Sequence, residues 1–288
     1  MDREKITSKD TLGDRMKNYE NETRYYLDVK KPVIIRLDGK AFHTFTRGFK
    51  KPFDDILVKA MQDTMLYLCE NIQNCVFGYT QSDEITLVLL ADRNENTSQW
   101  FDGNIQKMTS VSASMATMIF NRVFAELTVE EIDKNGPIWD MNEITAGYIE
   151  TITKSVNSGA FFDSRAFNVP KEDIINCIIW RQLDAIRNSK QMVGQHYYSA
   201  KQLHGKNVDE IVEMLKRDHG VNWEEYATYL RHGSSCVKKK VKINVGLATE
   251  AIRSKWAVDT NMPFIISDRE YVERNLHYDF EIIEGENI

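Results

Sequence analysis

The chain has 288 residues, 42% of them hydrophobic and 28% charged, and carries a formal net charge of −6. This is a globular composition with enough length for one large domain or two modest ones. An acidic balance, with a sequence pI of about 5.6, argues against a protein held on nucleic acid by bulk charge and leaves that role to local basic patches. Cys69, Cys75, Cys177 and Cys236 show no CxxC pair or metal-ligand spacing, so they read as core residues in a reducing cytosol. Met1-Asp2-Arg3-Glu4-Lys5 opens no apolar signal region and no later run is long enough to span a bilayer, so a soluble, cytoplasmic protein without membrane contact is expected.

In chain order, Thr11 to Asp28 reads as a polar helix with Thr11 as N-cap and Leu12, Met16, Tyr19 and Tyr26 at partial apolar spacing. Val33-Ile34-Ile35-Arg36-Leu37-Asp38-Gly39-Lys40 is an apolar run closed by Asp-Gly. It predicts a buried strand with Asp38 at its C-terminal end. Phe42, His43, Phe45, Arg47, Gly48, Phe49, Lys50, Lys51 and Pro52 follow as a loop of aromatic and basic residues. It reads as a surface loop with partly buried rings or as an anion cradle, and its place beside Asp38 favours the cradle. Ile56, Leu57, Ala60, Met61, Met65 and Leu68 then recur at helical spacing.

Cys75 to Leu90 predicts a β-hairpin whose tip is Ser82-Asp83-Glu84. A solvated acidic turn is the plain reading of that tripeptide, yet Glu is a poor turn residue. Strand, helix and strand in succession make the first and second strands parallel, and the return strand of the hairpin runs antiparallel to both. The hairpin tip and the end of the first strand then share one sheet edge, so Asp38 and Asp83 converge. Two carboxylates so placed suit Mg²⁺, which takes few protein ligands and leaves its other positions to water and phosphate, and they suit phosphoryl transfer.

A polar linker is expected at Asp92–Ser98 and a long methionine-rich helix at Gln99–Leu127. Thr128 to Ser158 reads as an insertion of loops and short elements, with a small strand around Tyr148–Thr153. Ala160–Val169 alternates and ends at Pro170, giving a fourth strand and the order βαββαβ. The fold class is therefore α+β, a ferredoxin-like, polymerase-palm-type core. Its expected extent is residues 1–170, followed by a mainly helical region with a basic strand, 171–288. In that region Glu172–Val193 is helical and Gln202–Leu230 holds short helices interrupted by Gly205, Asn207 and Gly220. The basic run Lys238, Lys239, Lys240 within Cys236–Ile243 reads equally as a lysine-protected edge strand or as a phosphate-backbone contact.

Together these motifs resemble the tRNA-His guanylyltransferases and their guanylyltransferase-like relatives. The matching pieces are Arg36-Leu37-Asp38-Gly39-Lys40-Ala41-Phe42-His43, Lys51-Pro52, Gln81-Ser82-Asp83-Glu84, Phe162-Asp163-Ser164-Arg165, Trp180-Arg181-Gln182-Leu183-Asp184, and Gly233 before the basic strand. They fall in the family order over roughly Lys31 to Lys240, and several together are more specific than any one. The resemblance implies a nucleotidyltransferase that adds nucleotides in the 3′-to-5′ direction, with two Mg²⁺ ions on Asp38, the Gly39 carbonyl and Asp83, and Glu84 in support. It implies that Lys40, Ala41, Phe42, His43 and Lys51 bind the incoming triphosphate, with Asp54 a base contact. Ser82 and Asn188 match a second nucleotide site, where ATP activates a 5′-monophosphorylated RNA end before the 3′-hydroxyl of GTP or another NTP attacks it. The partners implied are the 5′ end and acceptor stem of tRNA, nucleoside triphosphates and further copies of the chain, as a homotetramer built as a dimer of dimers.

One departure separates branches of the family. Enzymes dedicated to tRNA-His carry His-Ile-Asn-Asn after the tryptophan motif, whereas this chain has Ile186-Arg187-Asn188-Ser189. That resembles the guanylyltransferase-like branch, which repairs 5′-truncated tRNA on a template strand, and it leaves Arg187 to take over an anion contact. Two other readings of the acids stand beside this one: a palm nucleotidyltransferase or cyclase acting on free nucleotides, and a non-catalytic ferredoxin-like RNA-binding module.

Overall fold

The computed structural model describes residues 11–91, 97–244, 250–277 and 282–284. The readings made of Met1–Lys5 and of most of the 92–98 linker lie outside them. Helix α1 (Leu12–Asn21) starts at a capping box between Thr11 and Asp14, stops well short of Asp28 and buries none of its residues. Strand β1 (Val33–Gly39), the single-turn helix α2 (Phe42–Phe45), helix α3 (Asp55–Asn71) and the hairpin β2 (Cys75–Gln81) with β3 (Glu84–Leu89) follow. Then come α4 (Ile105–Asn135), α5 (Glu143–Ser158), β4 (Phe162–Asn168) and α6 (Ile174–Tyr197). Short helices α7 (Ala200–Leu203), α8 (Val208–His219) and α9 (Thr228–His232) lead to β5 (Ser234–Asn244), β6 (Glu250–Asp259), α10 (Glu270–Leu276) and β7 (Ile282–Glu284).

The strands form one sheet in the order β4-β1-β3-β2-β5-β6, with β7 parallel to β5 and the other pairs antiparallel. β1 and β2 are both antiparallel to β3, so they run parallel to each other with β3 between them, as a βαβ unit with an inserted return strand requires. Alternation along the strands divides their side chains between two layers. Val33, Ile35, Leu37, Ile85, Leu87 and Leu89 pack with Met61, Met65, Leu68, Phe120 and Phe124 of α3 and α4. Ile34, Phe77, Tyr79 and Val88 pack with Ile174, Ile178 and Ile179 of α6. Both faces are covered, which is why β1 reads as an almost unbroken apolar run.

One expectation is corrected here. Residues 128–158 are not loops with a strand at Tyr148–Thr153. They continue α4 to Asn135, break at Gly136 with φ 78°, and form α5 from an N-cap at Asn142. Tyr148, Ile149, Ile152 and Ser155 bury one face of α5, and this helical burial outweighs the strand preference of its β-branched residues. After residue 170 the chain is helical through α6–α9 before it reaches β5. β5 pairs with β2 through Gly78↔Cys236, Tyr79↔Ser235 and Thr80↔Ser234, so the basic strand extends the sheet that β1–β4 begin.

Candidate active site

β1 delivers Asp38 to the sheet edge and the hairpin delivers Asp83. The turn holds two residues, Ser82 and Asp83, between paired Gln81 and Glu84, and Ser82 takes the positive φ of 55° that tight hairpins require. Gly39 N donates to the Asp83 carbonyl at 3.0 Å, locking the strand end to the tip. Glycine is needed there, because a Cβ on Gly39 would stand 2.3 Å from the Phe42 ring. Asp38 lies directly opposite Glu84 on one side and Asp163 on the other. Residues paired in register share a sheet face, so three acids form a row on the α6 side.

These acids differ in their compensation. Among the described residues, the Asp38 carboxylate has no hydrogen-bond donor or ion-pair partner, and the Asp83 carboxylate receives the Ser82 hydroxyl, at 3.1 Å, and its own backbone N–H but no cation. Burial pushes the Asp83 carboxyl above the ordinary carboxylate range. The charges of Asp38 and Glu84 add to the shift, while hydrogen bonds from its own backbone and Ser82 oppose it. Glu84 instead binds the buried Arg181 guanidinium, which also bonds Asp184 at 3.1 Å; Asp184 in turn binds Arg187. The Arg181 guanidinium stacks 4.6 Å from the Trp180 ring centroid, and Arg36, one turn of the pleat behind Asp38, lies 5.4 Å from the same ring.

The loop after β1 is a helical turn. Ala41 takes a left-handed conformation at its start, and the Phe42 ring is buried against Phe45, Phe120 and Phe162. Phe42 therefore presents only backbone to the site, while Lys40, His43 and Lys51 are exposed around it. Asp54 is 4% exposed and is the N-cap of α3. Its oxygens accept from Leu57 N at 3.0 Å, Lys50 N at 3.1 Å and the Tyr148 hydroxyl at 2.9 Å, so the carboxylate ties the loop and α5 to α3. This is a structural task that the expectation of a base contact did not contain.

Beside the hairpin tip opens a solvent-connected cavity. Leu57, Val58, Met61, Met192 and Leu230 make it largely apolar, with Ser82 and Gln81 at the tip. Arg181, Asp184, Asn188 and Met192 recur at intervals of three and four on α6, one helical face aimed at the hairpin. Asn188 thus belongs with the acids, whereas Lys238, Lys239 and Lys240 lie along β5. Lys239 is in register with Lys255, and Lys238 covers the Trp256 ring at 4.9 Å. Arg181 and the cavity wall escaped the sequence reading. The spacing of Arg181, Asp184 and Asn188 was the available signal.

A β-α-β-β-α-β sheet with carboxylates gathered at one strand edge and a largely apolar cavity beside them is the arrangement of a palm-type nucleotidyltransferase. The sequence profile described as Thg1, tRNAHis guanylyltransferase, matches residues 13–170, and the chain belongs to that family. A bacterial tRNA(His) guanylyltransferase-like protein solved in complex with ATP is 36% identical, with a TM-score of 0.75 over 92% of this chain and 99% of that one. A bacterial protein of the same description, in complex with GTP, is 35% identical with a TM-score of 0.72, over 93% of this chain and 100% of that one. Uncharacterized protein R259 of Acanthamoeba polyphaga mimivirus is 25% identical over 94% of both chains.

Proposed function

We propose that this nucleotidyltransferase extends the 5′ end of tRNA in the 3′-to-5′ direction against a template strand, repairing truncated ends. The observation that carries the reading is the pair Asp38 and Asp83: two partly buried carboxylates beside an open cavity, with no protein cation to neutralise them. Such hard oxygen donors, with the Gly39 carbonyl, fit Mg²⁺. Mg²⁺ takes few protein ligands and leaves its other positions to water and phosphates. Two bound Mg²⁺ ions supply activation of the attacking hydroxyl and neutralisation of the leaving phosphate.

In the first step an oxygen of the RNA 5′-phosphate attacks the α-phosphorus of ATP and pyrophosphate leaves. In the second, the 3′-hydroxyl of the incoming nucleotide attacks the activated 5′-phosphorus and AMP leaves. Lys40, His43 and Lys51 meet the incoming triphosphate, and Ala41 and Phe42 contribute backbone. Ser82 and Asn188 hold the second nucleotide, with Arg187 as an added anion contact. Glu84 acts through Arg181 by fixing α6 over the sheet, so it is a positioning residue. Lys238, Lys239 and Lys240 offer the tRNA backbone a basic strand, and an acidic chain gathers more such surface as a homo-oligomer, a dimer of dimers. Among the described residues no helix is long and apolar enough to cross a membrane, and the four cysteines are free, which supports a reducing, cytoplasmic setting. The absence of the histidine after Asp184 favours template-directed repair over strict guanylate addition.

The test supplies a labelled tRNA lacking its first nucleotide, with ATP, the four nucleoside triphosphates and Mg²⁺, beside an Asp83→Ala control. Growth at the 5′ end that stops when the acceptor stem is fully paired, and is lost in the control, is the expected result. Nucleotide binding without any extension sinks the repair reading.

A further inference from the structure

The cavity beside the hairpin tip contains a buried polar pair with no part in the acid chemistry. Gln62 of α3 is 8% exposed and Ser234 of β5 is 2% exposed, and the Gln62 amide Nε2 donates to Ser234 Oγ at 2.9 Å. Both side chains line the cavity. Of the other polar groups on its wall, Tyr229 is partly exposed, and the rest are committed elsewhere or sit at its mouth. Thr80 Oγ1 donates to the Glu84 carbonyl at 2.8 Å, Asp54 receives three donors, and Gln81 and Ser82 stand at the hairpin tip. The Gln62 carbonyl Oε1 has no hydrogen-bond partner among the described residues and keeps some accessible surface.

We propose that Gln62, anchored by Ser234, reads the 6-substituent of a purine nucleotide bound in this cavity and accepts both adenine and guanine. A primary amide carries an acceptor and two donors, whereas a serine hydroxyl both donates and accepts. With Nε2 on Ser234, the free Oε1 faces the cavity and accepts from the adenine 6-amino group. With the amide turned over, Ser234 donates to Oε1 and the freed N–H donates to guanine O6. Neither orientation breaks the Gln62–Ser234 hydrogen bond, so the exchange leaves no buried group unsatisfied. A carboxylate or an ammonium at the same place would present one sign only and select one purine. The apolar wall of Leu57, Val58, Met61 and Leu230 supplies the stacking surface.

This inference rests on the nucleotidyltransferase reading for its ligand but not on tRNA as substrate. The experiment measures equilibrium binding of ATP and of GTP to the full chain with Mg²⁺, checking each variant for a parental melting temperature. The parent is expected to bind both purines with dissociation constants within about tenfold of each other. Gln62→Glu, which can only accept, should shift the ratio toward ATP by about tenfold, the worth of the hydrogen bond to guanine O6 that it can no longer donate. Gln62→Leu should weaken both purines by a similar factor, leaving their ratio where it was. Val58→Trp, which fills the cavity, should abolish binding of either. A ratio unmoved by Gln62→Glu in a folded variant, or Gln62→Leu binding both purines as the parent does, overturns the base-reading role. Parental binding by Val58→Trp places the base elsewhere and overturns it too, while 5′ extension stays possible. A parent that binds purines through Gln62 but extends no tRNA keeps the inference and removes the proposed function.

Discussion

Two groups of carboxylates meet at one sheet edge, with Asp184 contributed by α6, and the fold treats them in opposite ways. Glu84 and Asp184 are joined to the buried Arg181, so their charges are compensated inside the protein. Asp38 and Asp83 have no such cation, and Asp83 is held in a burial that disfavours its charge. Compensated acids stabilise a fold; uncompensated ones wait for something from outside it. The difference assigns structure to the α6 ladder and chemistry to the hairpin tip, although all four residues are the same kind of group.

The comparison breaks most visibly at Asp38. Replacing it with Asn removes one hard donor and no internal ion pair, so turnover in the 5′-extension assay should fall roughly 10³-fold while the melting temperature stays near the parental value. A comparable loss of stability would show that Asp38 is structural after all. Arg181→Ala should do the reverse. It strands Glu84 and Asp184 with partly buried charges, and denaturant unfolding should report a loss of about 3 kcal/mol. Parental stability there would mean the ladder is a surface pair of little worth.

The smallest effect sharpens the contrast through pH. The folded-state pKa of Asp83 is raised, so its charge costs stability above that value and costs nothing below the ordinary value of 3.8. In metal-free buffer at neutral pH, Asp83→Asn should therefore melt above the parent, with the gain shrinking as pH falls toward 3.8. Added Mg²⁺ should raise the parent's melting temperature and leave the variant's unchanged. An Asp83→Asn protein less stable than its parent in the absence of metal would contradict the strain inferred at the tip.

Much of this was legible along the chain because it rests on local rules. The apolar run ending at Asp38-Gly39, the helical spacing of Ile56 to Leu68 and the hairpin around Ser82-Asp83 each fit within a short window, and topology alone brought the two aspartates to one edge. α5 was misread inside such a window, because its Ile and Thr residues favour a strand and only packing against α4 decides for a helix. Other features have no local signature. Glu84 meets Arg181 from 97 residues away, and Gln62 meets Ser234 from 172.

The sequence by itself therefore determined the palm-type order of elements and the two acids at its edge, since periodicity and turn chemistry act between near neighbours. Only the tertiary structure decided which carboxylates are neutralised, that Phe42 and Asp54 are committed to the core and the helix cap, and that a cavity with a buried amide opens beside the tip. Charge compensation and cavity shape depend on side chains that become neighbours only when the sheet closes and α6 and β5 pack onto it.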